Sequence, residues 1–128
     1  IERIRPLYSP EDVFGLSCTE EELRILDAVG KDVRERLFFE IWTRKEACVK
    51  ALGMDILAAA GQFQCIAESP AGPAAWEYLD MFWQDGMPWY LKTPIQKDGF
   101  VSCCCTPKQD AEFKYHSWKE GDHHSGRF

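Results

Sequence analysis

The chain has 128 residues, 45% of them hydrophobic and 28% charged, with a formal net charge of −6 and a pI near 5.0. That length suits one domain burying roughly two-thirds of its unfolded surface, and the acidic balance excludes nucleic acid as a general partner, because phosphate binding needs a basic face. No apolar run nears the ~20 residues that span a bilayer, and no signal peptide is present, so neither membrane nor export is expected.

In chain order, Ile1 to Leu7 is extended in character and ends at Pro6. Tyr8 to Asp12 is a turn or a helix start. Thr19 with Glu22 three residues later forms a capping box. It opens a helix through Leu23, Ile25, Leu26 and Val29 that Gly30 closes. Asp32 caps the longest helix, Val33 to Leu52, and Gly53 takes its C-terminal stop position. The period then turns strand-like. Gln62 to Ile66 alternates and predicts a strand, which Ser69-Pro70-Ala71-Gly72-Pro73 breaks. Trp76 to Trp83 reads as either strand or short helix. Trp89 to Thr93 and Phe100 to Cys105 are strands joined by a turn at Lys97-Asp98-Gly99. A last strand covers Phe113 to Trp118, and a flexible tail runs from Glu120. Helices first and hairpins afterwards predict an α+β fold, with helices packed on a small antiparallel sheet.

The six cysteines are Cys18, Cys48, Cys65 and the run Cys103-Cys104-Cys105. They make no CxxC pair and no zinc spacing, and adjacent cysteines on a strand point to opposite faces. Free thiols used as small buried apolar residues suit the reducing cytoplasm. His116, His123 and His124 have no acidic or thiol partner at ligand spacing.

The long helix carries the unusual feature. At about 100° per residue from Trp42, its residues Leu37, Ile41, Cys48 and Leu52 gather at roughly 220–280°. Phe38 and Val49 adjoin them, while Arg36, Glu40, Thr43 and Arg44 form a polar sector opposite. Lys45 falls inside the apolar arc at about 300°, with Glu46 and Lys50 at its other border, at about 40° and about 80°. Ordinary structural roles exist for all three: an i,i+4 pair for Glu46 and Lys50, and snorkelling for Lys45. Yet Trp42, Lys45, Glu46, Val49 and Lys50 form one strip, an acid flanked by cations and a rigid aromatic. Such a strip suits metal binding or proton transfer beside a phosphate.

Trp42-Thr43-Arg44-Lys45-Glu46-Ala47, followed by Lys50, resembles the W-[ST]-x-K-E-[AS]-x-x-x-K signature of the 4′-phosphopantetheinyl transferases, most closely the Sfp-type branch. Ile1-Glu2-Arg3-Ile4-Arg5-Pro6 is similar to the end of that family's G-[VI]-D-[IVL]-E motif without its Gly-x-Asp. Lys50 to Gly53, the strand at Phe63, and the segments Trp89 to Thr93 and Phe100 to Cys105 keep the family's order. The resemblance spans about Ile1 to Trp118.

It implies Mg-dependent transfer of 4′-phosphopantetheine from coenzyme A to a serine of an apo acyl or peptidyl carrier protein. Glu2 and Glu46 would be magnesium ligands, and Glu46 also the general base. Lys45 and Lys50 would neutralise the pyrophosphate, with Lys50 assisting the departing phosphate. Trp42 would position Glu46 and pack beside the cofactor. Residues 1–119 would be one C-terminal lobe of a pseudo-dimer, and 120–128 its tail. The absent initiator Met and leading Asp point to a fragment or processed chain that needs a first lobe or another subunit. A non-catalytic half-enzyme is the rival reading. A single-lobe holo-acyl-carrier-protein synthase working as an oligomer is another; in its register Glu46 keeps its role and Glu2 does not. The aromatic segment from Trp76 to Tyr90 would supply core, with docking of a carrier or first lobe as its functional alternative. Arg3, Arg5 and Arg44 are candidate carrier contacts.

Overall fold

The computed structural model of the chain describes residues 1–4, 17–94 and 97–116. The turn expected at Tyr8 to Asp12, Arg5 and the expected tail lie outside these residues. Strand β1 is Glu2–Arg3. Helix α1, Glu20–Ala28, opens on the capping box at Thr19. The Glu22 amide donates to Thr19 Oγ1 at 3.2 Å, and the Thr19 amide donates back to Glu22 Oε1 at 2.9 Å. Thr19 Oγ1 also donates to Gln64 Oε1 at 2.6 Å, which ties the helix start to the chain ahead of the sheets. Thr19→Ala removes both bonds of the hydroxyl and should lower stability by about 1–2 kcal/mol in a urea melt. An unchanged midpoint would show that this cap does not anchor the helix.

Gly30 does not close α1. The helix ends at Ala28 with Val29 extended, and Gly30 is the N-cap of the next helix, α2, Lys31–Leu52. Asp32 therefore sits within the first turn of α2, where its charge still complements the helix dipole. The corner is held by Arg34, whose guanidinium donates to Leu26 O at 2.7 Å and Val29 O at 3.1 Å. These bonds satisfy carbonyls that the end of α1 leaves open. At the far end Gly53 adopts the left-handed conformation, φ 68°, and the Met54 amide returns to Val49 O at 2.8 Å. Only glycine adopts that geometry without strain.

A short helix α3, Ile56–Ala59, and a 3-10 turn, Ala60–Gln62, follow. The strand expected at Gln62 to Ile66 begins only at its last residue: β2 is Ile66–Ser69. It pairs antiparallel with β3, Gly72–Tyr78, so the expected break shrinks to the Pro70-Ala71 turn. Trp76 to Trp83 resolves as the end of β3 and the start of β4, Met81–Gln84. Strand β4 pairs with β5, Met87–Lys92, through Asp85 at φ 53° and Gly86 at φ 76°. Two positive φ values make a tight turn whose twist matches that of the flanking strands.

Phe100 to Cys105 is two strands, not one. Strand β6, Phe100–Val101, pairs with β1, whereas β7, Cys104–Thr106, pairs with β5. No strand forms at residues 111–116. The described residues thus form an α+β fold of helices on three small antiparallel sheets. Its core joins Ile25 and Leu26 of α1 to Leu37, Phe38, Phe39 and Ile41 of α2, with Cys65, Ile66 and Val101 from the sheets. Helix α2 runs through the middle of this packing. Its expected polar sector is covered only in part: Thr43 and Arg44 are buried, whereas Arg36 is exposed. Among the described residues no helix is long and apolar enough to cross a membrane.

Candidate active site

Strand β1 lies antiparallel to β6 with Glu2 opposite Val101, and the Ile4 amide extends the pairing to Gly99 O at 2.7 Å. Residues paired across a ladder share a face, so Glu2 lies on the same side as buried Val101, toward α2. There its carboxyl lies near enough to that of Glu46 to disfavour the Glu46 charge. Neighbouring carboxylates disfavour each other's charge unless a proton or a cation lies between them. Glu46 is held above the ordinary carboxylate range first by burial and then by the Glu2 carboxyl. Lys50 opposes that shift. The Lys50 ammonium lies 3.6 Å from Glu46 Oε2, one turn further along α2, with 78% of its side chain exposed. One turn before Glu46, Trp42 stacks on Phe38 at 6.4 Å and packs against the core. The rigid ring fixes the wall from which Glu46 projects. Glu2, Trp42, Glu46 and Lys50 are therefore brought to one edge of α2.

Lys45 is not brought there. Its side chain is fully buried, as is that of Glu22, and its ammonium meets Glu22 Oε1 at 2.7 Å. It also donates to Ala60 O at 2.7 Å and Phe63 O at 2.8 Å. All three ammonium hydrogens are committed within the protein. Glu22 is equally occupied: Oε1 accepts from the Thr19 amide and Oε2 from the Cys65 amide at 2.7 Å. Lys45, expected at the pyrophosphate, is held in this structure by these internal partners. The physical reason lies in its angular position, because a lysine inside the apolar arc points at the packed neighbours of the helix. Here those neighbours supply an anion and two open carbonyls.

Arg44 is committed as well. Its guanidinium pairs with Asp80 Oδ1 at 2.6 Å and lies 4.5 Å above the Tyr78 ring, which removes it from the candidate carrier contacts. The Tyr78 hydroxyl donates to Glu40, and burial, reinforced by that carboxylate, pushes its pKa up to about 12. The aromatic segment divides by strand alternation. Phe82 turns inward, edge-on to Phe63 at 5.5 Å, while Trp83 is 63% exposed.

A magnesium ion fits this donor set in part. Hard carboxylate oxygens are its preferred protein ligands, and it commonly takes only one or two, completing its shell with water and substrate phosphate. Glu2 and Glu46 supply that number. Among the described residues no group of three or more His, Cys, Asp or Glu side chains is placed to hold a metal.

Comparison with known families matches residues 1–84 to the 4′-phosphopantetheinyl transferase superfamily, and the chain belongs to that superfamily. The superfamily's general chemistry is transfer of phosphopantetheine. The matched span contains Glu2, Trp42, Lys45, Glu46 and Lys50. No curated protein and no solved structure matches the chain.

Proposed function

We propose that the protein is one lobe of an Sfp-type enzyme, spanning residues 1–119 with 120–128 as a tail. It works in the cytoplasm and moves 4′-phosphopantetheine from coenzyme A onto a serine of an apo acyl or peptidyl carrier protein. The observation that carries this reading is the meeting of Glu2 and Glu46 beside Lys50. That meeting favours the Sfp-type register over the single-lobe synthase register, in which Glu2 has no ligand role.

In this reading Glu2 and Glu46 hold magnesium, which when bound supplies charge neutralisation on the pyrophosphate. Glu46 accepts the proton of the attacking serine hydroxyl, directly or through a water, as a general base. Lys50, exposed at its tip, pairs with the phosphate that leaves on 3′,5′-adenosine bisphosphate. Trp42 keeps Glu46 in place. Lys45 acts at one remove, pinning α2 to α1 and to the turn at residues 60–63. A first lobe or another subunit completes the coenzyme A cleft.

The direct test is intact mass of an apo carrier protein incubated with coenzyme A. It is run with and without Mg²⁺, with this chain alone and with a first lobe fused upstream. The expected result is a gain of one phosphopantetheine that needs Mg²⁺ and the added lobe. A gain from the chain alone would overturn the half-enzyme part of the reading. No gain under any condition would overturn the transferase assignment for this chain.

A further inference from the structure

A cavity of about 320 Å³ opens between the polar sector of α2 and the chain that returns to cover it. Arg36, Glu40 and Arg44 line it from the helix, and Tyr78 and Asp80 from the end of β3 and the residues after it. None of Glu2, Trp42, Glu46 and Lys50 lines it, so the proposed transfer leaves it unused.

Arg44 is the unusual member of this wall. It is only 6% exposed, yet few of its N–H groups have a partner. Nη1 donates to Asp80 Oδ1 at 2.6 Å, and the guanidinium carbon lies 4.5 Å from the centre of the Tyr78 ring. Among the described residues nothing else accepts from it. A guanidinium also carries N–H groups on Nε and Nη2, and sealing these away unpaired would be destabilising. No sealed side-chain nitrogen or oxygen among the described residues lacks a partner, so these groups face open space. The open space that Arg44 lines is this cavity.

The two acids of the wall differ in a similar way. Both oxygens of Glu40 are engaged, Oε1 by Arg36 Nε at 3.1 Å and Oε2 by the Tyr78 hydroxyl. Asp80 has only Oδ1 engaged, and 62% of its side chain is exposed. A guanidinium edge and a carboxylate oxygen thus stand side by side, each with bonding capacity left. Burial keeps Arg44 from a docked protein surface but not from a molecule small enough to enter.

We propose that this cavity binds a free α-amino acid, with its carboxylate on Arg44 and its ammonium on Asp80. Charge decides the class. Arg36 and Arg44 balance Glu40 and Asp80, so a simple anion would bring an uncompensated charge beside two carboxylates. A simple cation would do the same beside two guanidiniums. A zwitterion does neither. An α-amino acid carries both charges on one carbon, a juxtaposition as close as that of the Arg44–Asp80 pair, so the four charges alternate around a ring. The planar fork of arginine matches a carboxylate, and Tyr78 and Asp80 hold it in place before the ligand arrives. The volume lies at the low end of the range for small-molecule sites, which suits a ligand of this size. The inference rests on this cavity alone and does not depend on the transferase reading.

The test is isothermal titration calorimetry of the full chain with the common L-α-amino acids, one at a time. At least one should bind saturably at a single site and raise the melting temperature. Its N-acetyl derivative lacks the ammonium and its methyl ester the carboxylate. Each should bind at least about tenfold more weakly. Asp80→Asn should weaken the amino acid by a similar factor, and so should Arg44→Lys, which keeps the charge but not the fork. Arg24→Gln, which breaks an exposed pair of the same kind with Glu68, should leave binding unchanged. Failure of every amino acid to bind would overturn the proposal. Acetate or inorganic phosphate binding as tightly as the amino acid would overturn it too, by marking a plain anion site. So would unchanged affinity in Asp80→Asn. Should Arg44→Lys fail to fold, Asp80→Asn, at an exposed side chain, and the two derivatives decide the matter.

Discussion

Lys45→Met should unfold the protein far more readily than the parent while leaving coenzyme A recognition alone. The substitution strands a fully buried Glu22 carboxylate and opens the carbonyls of Ala60 and Phe63. Breaking one side of a buried pair costs about 3–5 kcal/mol, because the remaining charge has neither water nor partner. A domain of this size has roughly 5–15 kcal/mol in total, so the urea midpoint should fall steeply. Pairing Lys45→Met with Glu22→Gln should recover much of the loss, since removing both charges relieves the stranded one. Lys50→Met supplies the contrast. With 78% of its side chain exposed, Lys50 can leave with a stability change within about 0.5 kcal/mol, yet it should raise the KM for coenzyme A. The opposite pattern, with a normal melt and a raised KM in Lys45→Met, would mean that Lys45 turns to the ligand when one binds.

The local features of the fold were legible from the sequence because local rules produce them. The capping box at Thr19, the end of α2 at Gly53 and the α+β class all depend on neighbours a few residues apart. The angular position of Lys45 inside the apolar arc was also readable. Its partner was not, because Glu22 belongs to the preceding helix and helix spacing carries no information across a corner. The same limit explains Thr43 and Arg44. Amphipathic reasoning sends a polar sector to water, whereas β3 and the residues after it return to cover part of this one, with Tyr78 and Asp80 meeting Arg44.

Phe100 to Cys105 reads as one strand because it opens on Phe100-Val101 and contains no Gly or Pro to break it. The chain nevertheless leaves β1 after Val101 and joins β5 at Cys104, a change of partner that propensity cannot express. One local signal was overlooked. Asp85-Gly86 between apolar runs is a strong two-residue hairpin marker, and it would have separated β4 from β5. Glu2 occupies a middle ground. Its motif suggested a role, but only the β1–β6 register turns its carboxyl onto α2.

Glu46→Gln, in the chain with a first lobe fused upstream, should reduce kcat for carrier modification by about 10²–10³-fold, within the range that a general base contributes. Glutamine keeps the size of the side chain but cannot take the serine proton, and its amide is a poorer magnesium ligand than a carboxylate. The Mg²⁺ concentration giving half-maximal rate should therefore rise as well. Stability should not follow activity downward. In the metal-free protein Glu46 is half-buried beside another carboxyl, which penalises its charge, and its pair with exposed Lys50 is weak. Glutamine removes the unfavourable neighbour and gives up little, so the melt should stay at the parent's value or rise slightly. Lost transfer with an intact fold separates a residue that performs chemistry from one that holds the helix, which is the role assigned to Lys45. Near-parent kcat with unchanged Mg²⁺ dependence would remove Glu46 from both of its roles. The contact between Glu2 and Glu46 would then be a structural carboxyl pair at the edge of the helix.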